Sequence, residues 1–477
     1  MRSSTTTLAI AAGCILGGAN AIKLIKRSDG SPHRVVEHTI QRKHIRNPIQ
    51  HDRNRMRKRD GTLSVTLDNE ETLYFMNATI GTPAQNFRLH VDTGSSDLWV
   101  NVADSSLCSD ASNQCSISGT YNANDSSTYQ FINSDFNITY VDGSGSSGDY
   151  ASDIVSFGGI SIEDQQFGIG YDSSSAEGIL GIGYPINEVA VQYNDGRAYP
   201  NVPQSLLNNG HISSKAYSLW LNDLDASTGS ILFGGVNSAK YTGSLETVPI
   251  IKEQGVYAEF IIALTAVGHN GNQGSIASNQ AIPALLDSGS SLMYLPNDIA
   301  QSIYDATGAS YNSKQGVAFI DCSAGNSDET IDFTFSSPTI KVALNELVIV
   351  AGVDRGKEIC ILGIGPAGSS TPVLGDTFLR SAYVVYDLAA HEISLAQTNF
   401  NSTSNNVLEI TNSTGVPDAT TVQNAVTSVA VQSGGARIGD GTSGTITLGA
   451  AAAPTAAPGW NLAAIGGVAV AGAMFAL

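Results

Sequence analysis

Two short stretches of this 477-residue chain place a carboxylate where it can do chemistry. In "FRLHVDTGSSDLWV", residues 87–100, Asp92 follows an apolar, strand-like run and precedes Thr93, Gly94, Ser95 and Ser96. In "IPALLDSGSSLMYL", residues 282–295, Asp287 stands the same way before Ser288, Gly289, Ser290 and Ser291. One such acid is an ordinary turn residue, as are its hydroxyl neighbours. Two in register indicate a unit used twice, because Gly181 of "GILGIG" lies 89 residues after Asp92 and Gly375 of "PVLGDTF" lies 88 after Asp287. Two like lobes packed about a pseudo-two-fold axis bring Asp92 and Asp287 face to face and leave a cleft for an extended chain. Carboxyls a few ångströms apart cannot both ionise cheaply, so such a pair shares one proton. The ionised member can take a proton from a water held between them while the protonated member polarises a carbonyl. An amide is then hydrolysed without a covalent intermediate. Gly94 and Gly289 let the backbone turn tightly, and the Ser95 and Ser290 hydroxyls are placed to donate to the carboxylates. Thr93 and Ser288 are placed to hydrogen-bond across the lobe interface.

The elements that must hold these turns are legible in outline. Residues 60–400 are dense in glycine, turn residues and short β-branched or aromatic runs such as "LYFMNATIG", "GSILFGG" and "IDFTFSSPTI". This predicts a mainly β, bilobal fold with lobes at 60–245 and 246–400 and short helices near 203–209 and 297–306.

The ends have other compositions. Residues 1–21 combine Arg2, an apolar stretch and the small-residue site Ala19-Asn20-Ala21, the pattern of a cleaved secretory signal. Secretion makes Cys108, Cys115, Cys322 and Cys360 disulfide candidates, and proximity favours Cys108–Cys115 and Cys322–Cys360 among three connectivities. The spacings lack the paired C-x-x-C elements of zinc sites, and no metal or organic cofactor is implied. Asn77, Asn124, Asn137, Asn401 and Asn412 head glycosylation tripeptides. The net charge of -19 hides a division: residues 1–59 carry 13 basic and 3 acidic side chains, the rest 11 and 40. The boundary is the dibasic pair Lys58-Arg59, so residues 22–59 read as a basic pro-segment removed by a dibasic processing protease. A polycation covering an acidic cleft would keep the precursor latent. Nucleic-acid binding by this segment is disfavoured by secretion and by the acidic remainder. Asn401 to Gly459 contains no aromatic residue and is rich in Ser, Thr, Ala and Gly, which predicts a flexible stalk over 401–449. The uncharged tail "WNLAAIGGVAVAGAMFAL" has no basic stop after it, so residues 450–477 fit a glycosylphosphatidylinositol (GPI) attachment signal better than a spanning helix. A monomer at the plasma membrane or cell wall is the expected form.

These residues resemble the pepsin-like aspartic proteases over about residues 70–400, in "YFMNATIGTPAQNFRLHVDTGSSDLWV", "GILGIGY", "AIPALLDSGSSLMYLP" and "VLGDTFLRSAYVVYDLAAHEISLAQ". With the signal, dibasic segment, stalk and lipid-anchor tail, the chain is similar to the yapsin branch of fungal surface proteases. The resemblance implies that Asp92 and Asp287 are the catalytic pair, that Tyr140 of "ITYVDGSGSSG" is a flap tyrosine closing over protein or peptide substrates, and that Trp99 packs behind it. Val141 departs from the glycine common there. Asp142 stands where relatives accepting lysine beside the cleaved bond carry an acid, which implies a preference for basic residues and, with the dyad, an acidic working pH. A catalytically silent binding or structural surface glycoprotein of the same fold is the alternative; it leaves the duplicated acid turns without a purpose.

Overall fold

The computed structural model describes residues 34–46, 70–109, 114–140, 144–193, 197–226 and 228–431. Its architecture is a duplication around two acid turns. In the first half, the strand Gln85–Asp92 runs parallel to Gly178–Gly181, which pairs antiparallel with Leu98–Asn101, itself parallel to Ile160–Ser173. In the second, Ile282–Leu286 runs parallel to Val373–Leu374, which pairs antiparallel with Met293–Leu295, itself parallel to Ile364–Pro366. The same four-strand weave thus occurs twice, with an acid leaving the end of its first strand each time.

Alternation explains the first of these strands. Phe87, Leu89 and Val91 are buried in the core, while Arg88, His90 and Asp92 take the other face, because side chains alternate along a strand. The halves are joined by a sheet of 14 strands among the described residues, in which Ala382–Asp387 pairs with Ala216–Trp220. Tyr217, Phe233, Phe260 and Tyr386 stack in the core beneath this junction.

The expected helices form close to their predicted places. Val202–Asn208 begins where the Asn201 side chain accepts from Gln204 N and a proline occupies the first turn. Asn297–Thr307 buries Ile299, Ala300, Ile303 and Tyr304 on one face and ends at Gly308 with φ 72°, a left-handed cap that glycine adopts freely.

Two expectations about the flanks need correction. The strand Val36–Arg46, inside the basic segment, lies between Glu70–Ile80 and Thr228–Phe233 in the large sheet, with Ile40 fully buried. Those residues are part of the sheet rather than a cover over the cleft: Val36 and Ile40 bury apolar side chains there, and main-chain pairing on both edges fixes the rest. Lys58 and Arg59 lie outside the described residues, as does residue 1–21. The flexible stalk expected from 401 onward also starts too early. Val407–Glu409 pairs with Gly235–Asn237, and Ala419–Thr421 pairs parallel to Tyr241–Pro249. Val407 and Ile410 are buried, and Val429 and Val431 pack against Ile251, Ile261 and Leu285. Scattered aliphatic residues and strand pairing therefore replace the aromatic core that this segment lacks. Residues 432–477, with the proposed anchor, lie outside the described residues.

Candidate active site

Each acid sits in the same cradle. Gly94 N donates to Asp92 Oδ1 at 2.8 Å and Ser95 Oγ to Asp92 Oδ2 at 2.6 Å. Gly289 N donates to Asp287 Oδ1 at 2.8 Å and Ser290 Oγ to Asp287 Oδ2 at 2.6 Å. Both carboxyl groups are buried. They meet across the lobes: a Cβ on Gly94 would lie 2.6 Å from Asp287 Oδ1, so the amide that serves Asp92 abuts the other acid. Any side chain at Gly94 would collide with Asp287.

The hydroxyls that follow the acids lock the two turns together. Thr93 Oγ1 donates to Leu286 O at 2.9 Å and accepts from Ser288 N at 2.9 Å. Reciprocally, Ser288 Oγ donates to Val91 O at 2.9 Å and accepts from Thr93 N at 3.1 Å. All four bonds are buried and cross from one half to the other. The glycines noted by spacing back these turns. A Cβ on Gly181 would lie 2.6 Å from Ser96 N, and one on Gly375 2.4 Å from Ser290 O, so each turn is threaded past a bare backbone.

Tyr140 is buried above the first turn, and its hydroxyl accepts a 2.7 Å hydrogen bond from Trp99 Nε1. Trp99, Phe136, Ile138, Tyr140, Tyr150 and Tyr199 form one apolar cluster. Asp142 and Val141 lie outside the described residues. The disulfides are Cys108–Cys115 and Cys322–Cys360, the pairing that proximity favours. Asn77, Asn124, Asn137, Asn401 and Asn412 are all exposed; Asn401 Nδ2 also donates to Asp223 Oδ2.

Sequence reading missed several residues of this site. A cavity of about 420 Å³ opens beside Asp92 and Tyr140, lined also by Leu73, His90, Gln114, Ser174, Ser175 and Glu177. The signal for His90 was present, since it precedes Asp92 by two and must share its strand face. Asp97 was missed too. Its Oδ1 accepts from the Tyr150 and Tyr199 hydroxyls at 2.7 and 3.0 Å, and its Oδ2 from Val189 N at 2.9 Å. It thus ties the strand Gly145–Phe157 to the segment around 189–199. Nearby Glu188 is fully buried, and burial, followed by the Asp97 charge, raises its carboxyl well above the ordinary range. A third buried charge cluster, Arg380 with Glu346 and Asp376, backs the second turn, where Asp376 N donates to Ser290 O at 2.8 Å: Arg380 Nε donates to Glu346 Oε2 at 2.6 Å, and Nη1 to Asp376 Oδ2.

Comparison with known proteins agrees with this geometry. Residues 73–398 match the family model described as eukaryotic aspartyl protease. The chain is 54% identical over 448 residues to "Probable aspartic-type endopeptidase opsB" of Aspergillus oryzae, covering 92% of this chain and 91% of that protein. It is 32% identical to "Aspartic proteinase 3" of Saccharomyces cerevisiae, covering 76% of each chain. In structure it is similar to the aspartic proteinase of Irpex lacteus, with a TM-score of 0.58 and 25% identity, over 70% of this chain and 96% of that one. The chain belongs to the eukaryotic, pepsin-like aspartyl proteases and is an aspartic-type endopeptidase.

Proposed function

We propose that Asp92 and Asp287 are the catalytic residues of this endopeptidase, one ionised and one protonated in the working state. The ionised carboxylate takes a proton from a water between them as that water attacks the peptide carbonyl. The protonated partner donates to the carbonyl oxygen, giving a tetrahedral intermediate with no bond to the enzyme. Collapse of that intermediate returns a proton to the leaving amine. The observation that carries this reading is the matched pair of cradles, with each acid held by a glycine N–H and a serine hydroxyl. Thr93 and Ser288 keep the acids in register, Gly94 and Gly289 permit the close approach, and Tyr140, held by Trp99, closes over the substrate.

In this reading the enzyme enters the secretory pathway, is cut after Lys58-Arg59 by a dibasic processing protease, and is held at the cell surface by a GPI anchor. It works at acidic pH and prefers basic residues beside the cleaved bond, with Asp142 pairing the substrate cation. The acidic remainder of the chain supports this preference by enriching cationic peptides nearby. A mixed peptide library digested at pH 4 to 6, beside Asp92→Asn and Asp142→Asn, tests both levels. Cleavage beside Lys and Arg that needs Asp92, with selectivity that falls in Asp142→Asn, is expected. Equal cleavage of Lys and Leu peptides by the wild type overturns the basic preference.

A further inference from the structure

The cavity beside Asp92 mixes charges in a way the catalytic chemistry does not require. Because Asp92 and Tyr140 both line it, a side chain lying in it belongs to a residue flanking the cleaved bond. Leu73 and Ile179 offer an apolar wall for a side-chain stem, and Glu177, half-buried, offers a carboxylate. His90, almost wholly buried, is the group that stands out. On the strand Gln85–Asp92 it lies between Arg88 and Asp92 on one face. Its partners in the two flanking strands are apolar: it pairs with Phe75 on one side, with ring centroids 5.6 Å apart, and with Ile179 on the other. The charged or titratable groups near it include Asp92 and Arg88 on its own strand, and Glu177 and the Tyr140 phenol line the same cavity. The Glu177 charge also acts on Arg88, so that carboxylate is partly committed already.

We propose that His90 is a specificity-determining residue, whose imidazole makes the pocket's acceptance of a cationic side chain depend on pH. When the imidazole is charged, a substrate ammonium entering beside it meets a like charge in a poorly solvated cavity. When it is neutral, the ammonium meets Glu177, the catalytic acid and the polar groups of Gln114, Ser174 and Ser175 without that like charge. Histidine is the side chain whose unperturbed charge change falls between the acidic and neutral range, which sets the pH window of the test. The preference for basic residues proposed above is thereby refined: it strengthens as pH rises.

The test compares kcat/KM for peptide pairs carrying lysine or norleucine, its uncharged near-isostere, at each residue flanking the cleaved bond. Between pH 4.5 and 6.5 the wild-type ratio of lysine to norleucine rises by about tenfold at the position that fills the cavity, the size of a like-charge contact at this range. His90→Gln and His90→Leu hold the ratio within about threefold over that window, the remainder being Glu177. Glu177→Gln lowers the ratio and keeps only the His90-dependent part of the slope. Thermal melts identify folded variants, and the glutamine variant serves if the leucine one does not fold. A wild-type slope that survives in folded His90 variants overturns the proposal, as does a flat wild-type ratio. A ratio below one throughout, with the His90-dependent slope intact, supports it while overturning the basic preference on which the refinement rests. No cleavage of either peptide by the wild type overturns both.

Discussion

Replacing Thr93 by valine preserves shape and removes one hydroxyl, which makes it a direct probe of the clamp between the halves. That hydroxyl is buried and makes two hydrogen bonds across the interface, to Leu286 O and from Ser288 N, both at 2.9 Å. Valine leaves a buried N–H and a buried carbonyl without this partner. An unsatisfied buried group costs about 1–3 kcal/mol, so the variant loses about 2–6 kcal/mol in all. For a molecule this large that lowers Tm by roughly 5 °C. The effect on rate is separate. The clamp fixes Asp92 relative to Asp287, and a displacement of about 1 Å between reacting groups costs on the order of a hundredfold in rate. The expectation is a fall in kcat of about tenfold to a hundredfold, with KM little changed. Thr93→Ser, which keeps the hydroxyl, stays near wild type in both. Ser288→Ala acts on the same interface, so Thr93→Val and Ser288→Ala combined are non-additive by about 0.5–3 kcal/mol. Calorimetry and initial-rate kinetics on the folded variants measure all of this. A Thr93→Val enzyme within about 1 °C of wild-type Tm and within about twofold of its kcat refutes the reasoning.

Other perturbations follow from the same structure. Burial raises the Glu188 carboxyl, so the folded state holds its proton longer than the unfolded chain does. Its contribution is therefore intact below the ordinary glutamate range and lost as pH rises through and above it, by up to about 1.4 kcal/mol per pH unit. Glu188→Gln removes this titration, and melts from pH 4 to 8 should show a shallower decline of Tm with pH than the wild type; an identical decline contradicts it. Tyr140→Phe deprives the buried Trp99 Nε1 of its 2.7 Å partner and should lower kcat/KM by about tenfold, with a loss of about 1–3 kcal/mol in stability read by calorimetry. Ending the chain at 400 deletes the two added strands with buried Val407 and Ile410, and should lower Tm by several degrees relative to a chain ending at 431, measured by calorimetry.

How much of this was visible in the sequence depends on how local the signal is. The acid turns, their glycines and the near-equal spacing to Gly181 and Gly375 are properties of one strand and its turn repeated, and they lead directly to the duplicated weave. The helices at Val202–Asn208 and Asn297–Thr307 announce themselves through Asn201 with Pro203 and through Gly308. What stayed hidden requires knowing which distant segments meet. Nothing near Asp97 says that Tyr150 and Tyr199 point their hydroxyls at it from 53 and 102 residues away. The strand Val36–Arg46 looks like a solvated basic run because its charges mask Val36 and Ile40, and only pairing on both edges makes it part of the sheet. Residues 401–431 look too poor in apolar residues to fold, and alone they are; they order against strands already formed by the rest of the chain. His90 was legible by strand alternation and went unnoticed beside the more conspicuous Asp92.

The central claim, that two carboxyl groups from the two halves act as one catalytic unit, is tested most directly by peptide hydrolysis with folded Asp92→Asn and Asp287→Asn enzymes. Each substitution keeps the shape and the glycine N–H contact while removing one carboxyl; the amide nitrogen donates to the serine hydroxyl in place of the oxygen that accepted from it. The account predicts a loss of kcat of at least about a thousandfold in either variant, with Tm close to wild type and the double variant scarcely worse than each single one. Substantial hydrolysis by either single variant, or losses that multiply in the double, would contradict it.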